Sequence, residues 1–240
     1  MRVARGFDVL REAAEAPALR GARRPSSARQ RLRANALQLV RDEALLDPAY
    51  CYCIVALDAP ASATLQVGRE TLHAPRLLPP SGQLTALACA VCTLGPRVEQ
   101  RVRALFVERR ASLAMAIDEL ANELLFAVSR RAQDRIHADV TRRGLTMAGE
   151  LRAGDPGLAL EAQPAVLRLA QAETIGVTVG AGLLMHPHKS TSMVLGVGIG
   201  LPPAQWSRCD ECPRRATCRA VARVAAGQSA VSHKADAGAG

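Results

Sequence analysis

The sequence predicts an α+β fold, a mostly antiparallel twisted sheet packed by long helices lying on one side of it. Two observations carry this. Short β-branched or continuously apolar runs lie at both ends of a central block whose apolar residues recur at three- and four-residue spacing, so the chain reads strands, helices, strands. Within that block, Ser112 to about Arg143 keeps the spacing through Leu113, Ile117, Leu120, Leu124, Val128, Ile136 and Val140. A helix of that length backs an entire sheet.

The elements follow in order. Ala36 to Leu46 has helical spacing and leads into the domain. Tyr50 to Leu57 (YCYCIVAL) reads as a strand. Ala63 to Val67 and Glu70 to Ala74, with Gly68 and Arg69 between them, read as a hairpin. Pro75 and Leu77 to Pro80 form a loop. Leu84 to Thr93 (LTALACAVCT) is an unbroken apolar run, short enough for a strand buried on both faces. Gly95 and Pro96 end it and open a helix over Arg97 to Arg109, proline being tolerated in a first turn where its missing donor costs nothing. Gly144 stops the long helix. Leu145 to Gln163 reads as a Gly- and Pro-containing loop, and Pro164 to Ala172 as a helix. Thr174 to Val179 and Ser192 to Ile199 read as strands.

Composition narrows the function classes. A chain of 240 residues, 49% of them apolar, buries one sizeable core. With one Trp, two Tyr and three Phe, that core is built from Leu, Val and Ala, and stacking on single-stranded nucleic acid has little to work with. The net charge of +9 suits a polyanionic partner only where it clusters on the folded part. Residues 1–45 hold ten Arg against five acids and read as a basic, flexible N-terminal extension, disordered or partly helical. A targeting peptide and an acidic or nucleic-acid partner remain open for it, although Asp8, Glu12 and Glu15 interrupt the acid-poor pattern of targeting peptides. No window reaches the roughly 18 apolar residues that span a bilayer. A cytoplasmic location is expected, with the seven cysteines as thiols or metal ligands rather than disulfides. Residues 46–206 form the expected domain, 207–220 a three-cysteine motif, and 221–240 an Ala-, Gly- and Ser-rich disordered tail.

The densest signal is Glu173 to Gly200. Its polar segment Met185-His186-Pro187-His188-Lys189-Ser190-Thr191-Ser192 is pinned between two apolar strands, where binding residues concentrate. Lys189 offers a point charge for a phosphate or carboxylate, and Ser190 and Ser192 offer hydroxyl donors. His186 and His188 flank Pro187 and point to one side of an extended segment, as a metal pair would. In the loop before the last helix, Arg152 presents a fork suited to a carboxylate, and Gly157 after Pro156 allows close backbone approach.

The order of these motifs resembles the activation (reactivation) domain of cobalamin-dependent methionine synthase, in a short stand-alone form. The resemblance runs over roughly residues 46–220. It rests on Thr93-Leu94-Gly95 with Glu99, the long helix, Arg152 with Pro156-Gly157, Ile175-Gly176-Val177, and Met185-x-Pro187-x-Lys189-Ser190-x-Ser192. The chain departs from the family where Leu158 stands in place of a tyrosine and where Arg152 lies four residues before Pro156 rather than three. The resemblance implies an S-adenosylmethionine site using Arg152, Pro156, Gly157, Lys189, Ser190 and Ser192, with Asp118 or Glu123 of the long helix as the nearest acids. It also implies cobalamin carried by a partner, either a separate corrinoid-binding protein or the methionine synthase core, and an electron from a flavoprotein or ferredoxin. The implied function is that of an accessory domain or subunit in reductive reactivation.

Cys209, Cys212 and Cys218 form a second constellation. Two cysteines with two residues between them close a chelate on one tetrahedral metal, and a third within ten residues reaches it. Zinc and an iron-sulfur cluster both remain open, with the fourth ligand among Cys51, Cys53, Cys89 and Cys92 or left for substrate. Two alternatives to reactivation therefore stand: a metal or iron-sulfur protein passing electrons to a corrinoid protein, and a non-catalytic docking module.

Overall fold

In the computed structural model, which describes residues 1–11 and 26–203, the apolar run beginning at Leu84 is the centre of the molecule. It forms Gln83–Thr93, paired antiparallel on one side with Ala49–Ala56 and on the other with Ser190–Ile199. Arg2–Arg5 extends the sheet at one edge and Thr146–Leu151 at the other. In chain order these strands are β1 (Arg2–Arg5), β2 (Ala49–Ala56), β5 (Gln83–Thr93), β6 (Thr146–Leu151) and β9 (Ser190–Ile199), and the sheet runs β1-β2-β5-β9-β6. The fold is α+β with an antiparallel five-stranded sheet.

The pleat of β5 explains how both faces are buried. Ala86, Ala88 and Ala90 face one core and Leu87, Cys89 and Val91 the other, every one of them buried. The small alanines leave room for three helices on their side: α1 (Ser27–Asp42), α2 (Arg97–Val107) and α3 (Ala111–Thr141). α3 turns its buried stripe of Ile117, Leu120, Leu124, Val128 and Ile136 onto the sheet. Its end follows the expected rule, with Gly144 at φ +69° donating to the Thr141 carbonyl at 2.9 Å. The opposite face is covered by the hairpin of β3 (Thr64–Val67) and β4 (Glu70–His73) and by the short helix α4 (Gln163–Ala170). The long helices thus lie on one side, while α4 reaches across to the other.

Three stretches differ from expectation. The basic 1–45 stretch contributes β1, which pairs Arg2 with Tyr52 and Arg5 with Ala49, and α1, which is capped by the Ser26 hydroxyl and packs on α3. Its second half coincides with the helical spacing read from Ala36, with Ala36 and Val40 buried, while in its first half Arg29 and Arg33 pair with Glu119 and Glu123 of α3. Thr146 to Leu151 is a strand where a loop was expected. Thr174 to Val179 is mostly not a strand, because left-handed Gln171 (φ 56°) and Gly176 (φ 72°) turn the chain around a 3-10 turn, leaving only β7 (Thr178–Val179) to pair with β8 (Met185–His186). The three-cysteine motif and the tail lie outside the described residues.

Candidate functional site

The feature that positions Arg152 is a β-bulge. Against β9, Ala148 opposes Gly196 and Leu151 opposes Val194, so β6 carries one extra residue between these pairs. Gly149 absorbs it at φ +71°, a conformation that costs glycine nothing. Ala148 and Leu151 both face the α4 side. The inserted residue therefore turns Glu150 and Arg152 to the α3 side, where an unbulged strand would have sent them the other way.

There the Arg152 guanidinium is held from three directions. Its Nε and Nη2 donate to Glu150 Oε1 at 3.1 and 2.9 Å, and its Nη1 donates to the Thr191 hydroxyl at 2.8 Å. Its Cζ lies 5.8 Å from the centre of the Phe126 ring on α3. Its backbone N–H donates to Asp155 at 2.9 Å, which closes the loop on itself. A guanidinium has five N–H donors, so two remain for a ligand carboxylate, and the side chain is 14% exposed. Near it lies Cys92, its thiol pushed up to about 12 by burial, with the buried Ser129 hydroxyl beside the sulfur. The donor set fits the carboxylate end of an amino-acid-like ligand.

The other residues singled out in the sequence do not all join this ledge. Lys189 does face it, but its ammonium is bound by Asp118 at 2.7 Å and by Asn122 at 2.8 Å. Ser190 and Ser192, one pleat position away, point through the sheet to the other face. Ser190 donates to Thr93 at 2.9 Å and Ser192 to Gln163 of α4 at 3.2 Å. Pro156 is exposed, and a Cβ on Gly157 would crowd the Arg76 stem at 2.9 Å, so this glycine makes room for Arg76. Leu158 is buried in the α4-side core. Of the two α3 acids singled out in the sequence, Glu123 makes a paired contact with Arg33 and Asp118 holds Lys189. Glu150 and Thr191, which do hold Arg152, are given no role by the sequence, although Thr191 lies within its polar segment. The only signal for Glu150 was a glycine beside it in a stretch read as loop.

The histidine loop forms a separate feature. The His186–Pro187 peptide is cis, and the rings of His186 and His188 lie 4.7 Å apart. The His188 backbone N–H donates to Glu99 at 2.6 Å, and its Nδ1 is 3.4 Å from the same oxygen. This loop walls a cleft of about 470 Å³ at the end of β5, lined among others by Thr93, Gly95, Glu99, Ile175, Gly176 and Pro187. Three of the motifs that carry the family resemblance therefore converge here rather than at Arg152.

Among the described residues no cluster of three His, Cys, Asp or Glu side chains is arranged to hold a metal ion. Cys51, Cys53, Cys89 and Cys92 are buried free thiols of β2 and β5. Also among these residues, no helix is long and apolar enough to cross a membrane.

No protein-family model matches the chain, and no curated protein matches it in sequence. Among solved structures, one described as the MetH reactivation domain bound to AdoHcy is similar in fold, with a TM-score of 0.53 and 12% identity over 78% of this chain and 72% of that one. The chain thus has the fold of a methionine synthase reactivation domain.

Proposed function

We propose that this protein is an S-adenosylmethionine-binding accessory domain or subunit in the reductive reactivation of a cobalamin-dependent methionine synthase or related corrinoid methyltransferase. The observation that carries this is the bulge-aimed Arg152, braced by Glu150, Thr191 and Asp155 on a fold shared with a domain that binds AdoHcy. Arg152 takes the ligand's carboxylate, and Phe126 and Glu150 border the remainder. Bracing matters because a methyl donor must be held close to its acceptor and in line with it. Lys189 flanks this ledge through Asp118 and Asn122, while Ser190, Ser192, Pro156 and Gly157 serve the sheet and loop around it rather than touch the ligand. When bound to the partner, cobalamin supplies the cobalt that accepts an electron, from a flavoprotein or ferredoxin, and then the methyl group. The partner is the methionine synthase core or a separate corrinoid protein.

A second reading, a docking module that binds no ligand, is favoured by the Glu150 carboxylate already engaging two donors of Arg152 and by the burial of Leu158. Calorimetric titration of the full chain with S-adenosylmethionine separates the two. Reactivation predicts saturable binding that Arg152→Ala weakens about tenfold, or about 1.4 kcal/mol, while the variant keeps its far-UV circular dichroism. Absence of binding by the unaltered chain would leave the docking module standing.

A further inference from the structure

The cleft at the end of β5 carries charges of both signs, and this restricts what it accepts. Arg5 reaches it from the edge strand β1 and donates to the Thr174 carbonyl. Asp47 reaches it from the turn before β2, and its carboxylate makes no hydrogen bond or ion pair among the described residues. Glu99 enters from α2 and uses Oε2 for His188. Ile175, Pro96 and Pro187 supply apolar wall.

A phosphate in this cleft would face two carboxylates. A divalent cation would face a guanidinium and lacks the set of ligands it needs. A ligand bearing one anionic and one cationic group satisfies both sides at once, because opposite charges are best recognised by matched partners placed apart. The volume of about 470 Å³ is within the range of small-molecule sites, and the apolar wall favours a short aliphatic or thioether side chain.

We propose that this cleft binds a free α-amino acid with a short apolar side chain, its carboxylate on Arg5 and its ammonium between Asp47 and Glu99. The site is separate from the Arg152 ledge and does not depend on the reading given above. It is tested on the full chain with L-methionine and L-leucine as probes, and with L-methionine methyl ester and N-acetyl-L-methionine as forms lacking one charge each. Titration followed by two-dimensional NMR is expected to give saturable shifts of the Gly95 and Gly176 amides for both amino acids. Each blocked form, and each of Asp47→Asn and Arg5→Gln, is expected to bind at least tenfold more weakly. Asp47→Asn preserves the shape of an exposed side chain, so it tests charge rather than folding. Three outcomes overturn the proposal: no saturable shifts with either amino acid, equal binding by the blocked forms, or shifts confined to the amides of Gly149 and Glu150.

Discussion

The Tyr52 hydroxyl donates to the Asp139 carboxylate at 2.5 Å, joining β2 of the sheet to the last turns of α3. Both residues are buried, and Arg2, Arg135 and Arg142 converge on the same carboxylate from the surface. Tyr52→Phe removes the donor and leaves a buried charged acceptor less satisfied, which costs about 1–3 kcal/mol. Urea denaturation with an unchanged slope checks this, and a variant as stable as the parent counts against it.

The same pair gives a pH dependence with two limbs. Burial first, then the bond to Asp139 and that carboxylate's charge, push the Tyr52 phenol up from 10 to about 12. The folded state holds this proton more tightly, so stability present below pH 10 is lost as the pH rises towards 12. Burial opposes the charge of Asp139, but the Tyr52 bond and the charges of Arg135, Arg142 and Arg2 outweigh it and hold the carboxyl below its ordinary 3.8. Its contribution is present above that value and lost as the pH falls through the folded one. Denaturation midpoints measured across pH should show both limbs, and Tyr52→Phe should flatten the alkaline one.

Thr191→Val keeps a β-branched residue on β9 and removes the hydroxyl that accepts from Arg152. One hydrogen bond is worth about 1 kcal/mol net. S-adenosylmethionine affinity is therefore expected to fall roughly fivefold, and the thermal midpoint to drop by about 2–4 °C. Calorimetry beside a melting curve separates the two effects, and a fall in melting temperature without a change in affinity refutes the positioning role.

Gly198 lies where β9 passes Gln83, and a Cβ there would overlap the Gln83 carbonyl, which is backbone and cannot step aside. Gly198→Ala is expected to destabilise by about 3 kcal/mol or more. Alanine at Gly144, which has open space around it, should be far milder, with only its left-handed φ as a penalty.

The sheet thiols should be silent. Burial pushes Cys51 up to about 11 and Cys89 and Cys92 up to about 12. Ellman titration of the native chain at mildly alkaline pH should leave these three unreacted, along with buried Cys53, and unfolding should release all four. Reaction of any of them in the native chain runs against this burial.

The elements with long, consistent burial patterns were legible in the sequence. The stripe from Leu113 to Val140 announces a helix because burial of one face imposes a single period along it, and the run from Leu84 to Thr93 announces a strand because burial of both faces leaves it unbroken by polar residues. β6 was not legible, since Thr146 to Leu151 is only half-buried and Gly149 breaks its alternation. That same bulge hid which face Glu150 and Arg152 occupy, as a strict two-residue period would place both on the α4 side. The second half of α1 was legible from Ala36 onward, while its first half was masked by Arg29 and Arg33, whose partners Glu119 and Glu123 are 90 positions away. Arg152 itself was found by the type of its side chain, whereas Thr191 needed the β9 register to be known.

The alternation along β9 makes this strand a partition. Lys189 and Thr191 belong to the compartment of α3, while Ser190 and Ser192 belong to that of α4. Four consecutive residues can therefore be varied as two independent sets. Changes at the odd positions tune the Arg152 ledge, and changes at the even positions tune the seating of α4 and the mouth of the β5 cleft. A change in one chamber need not disturb the other, so a single short segment of chain can serve two surfaces.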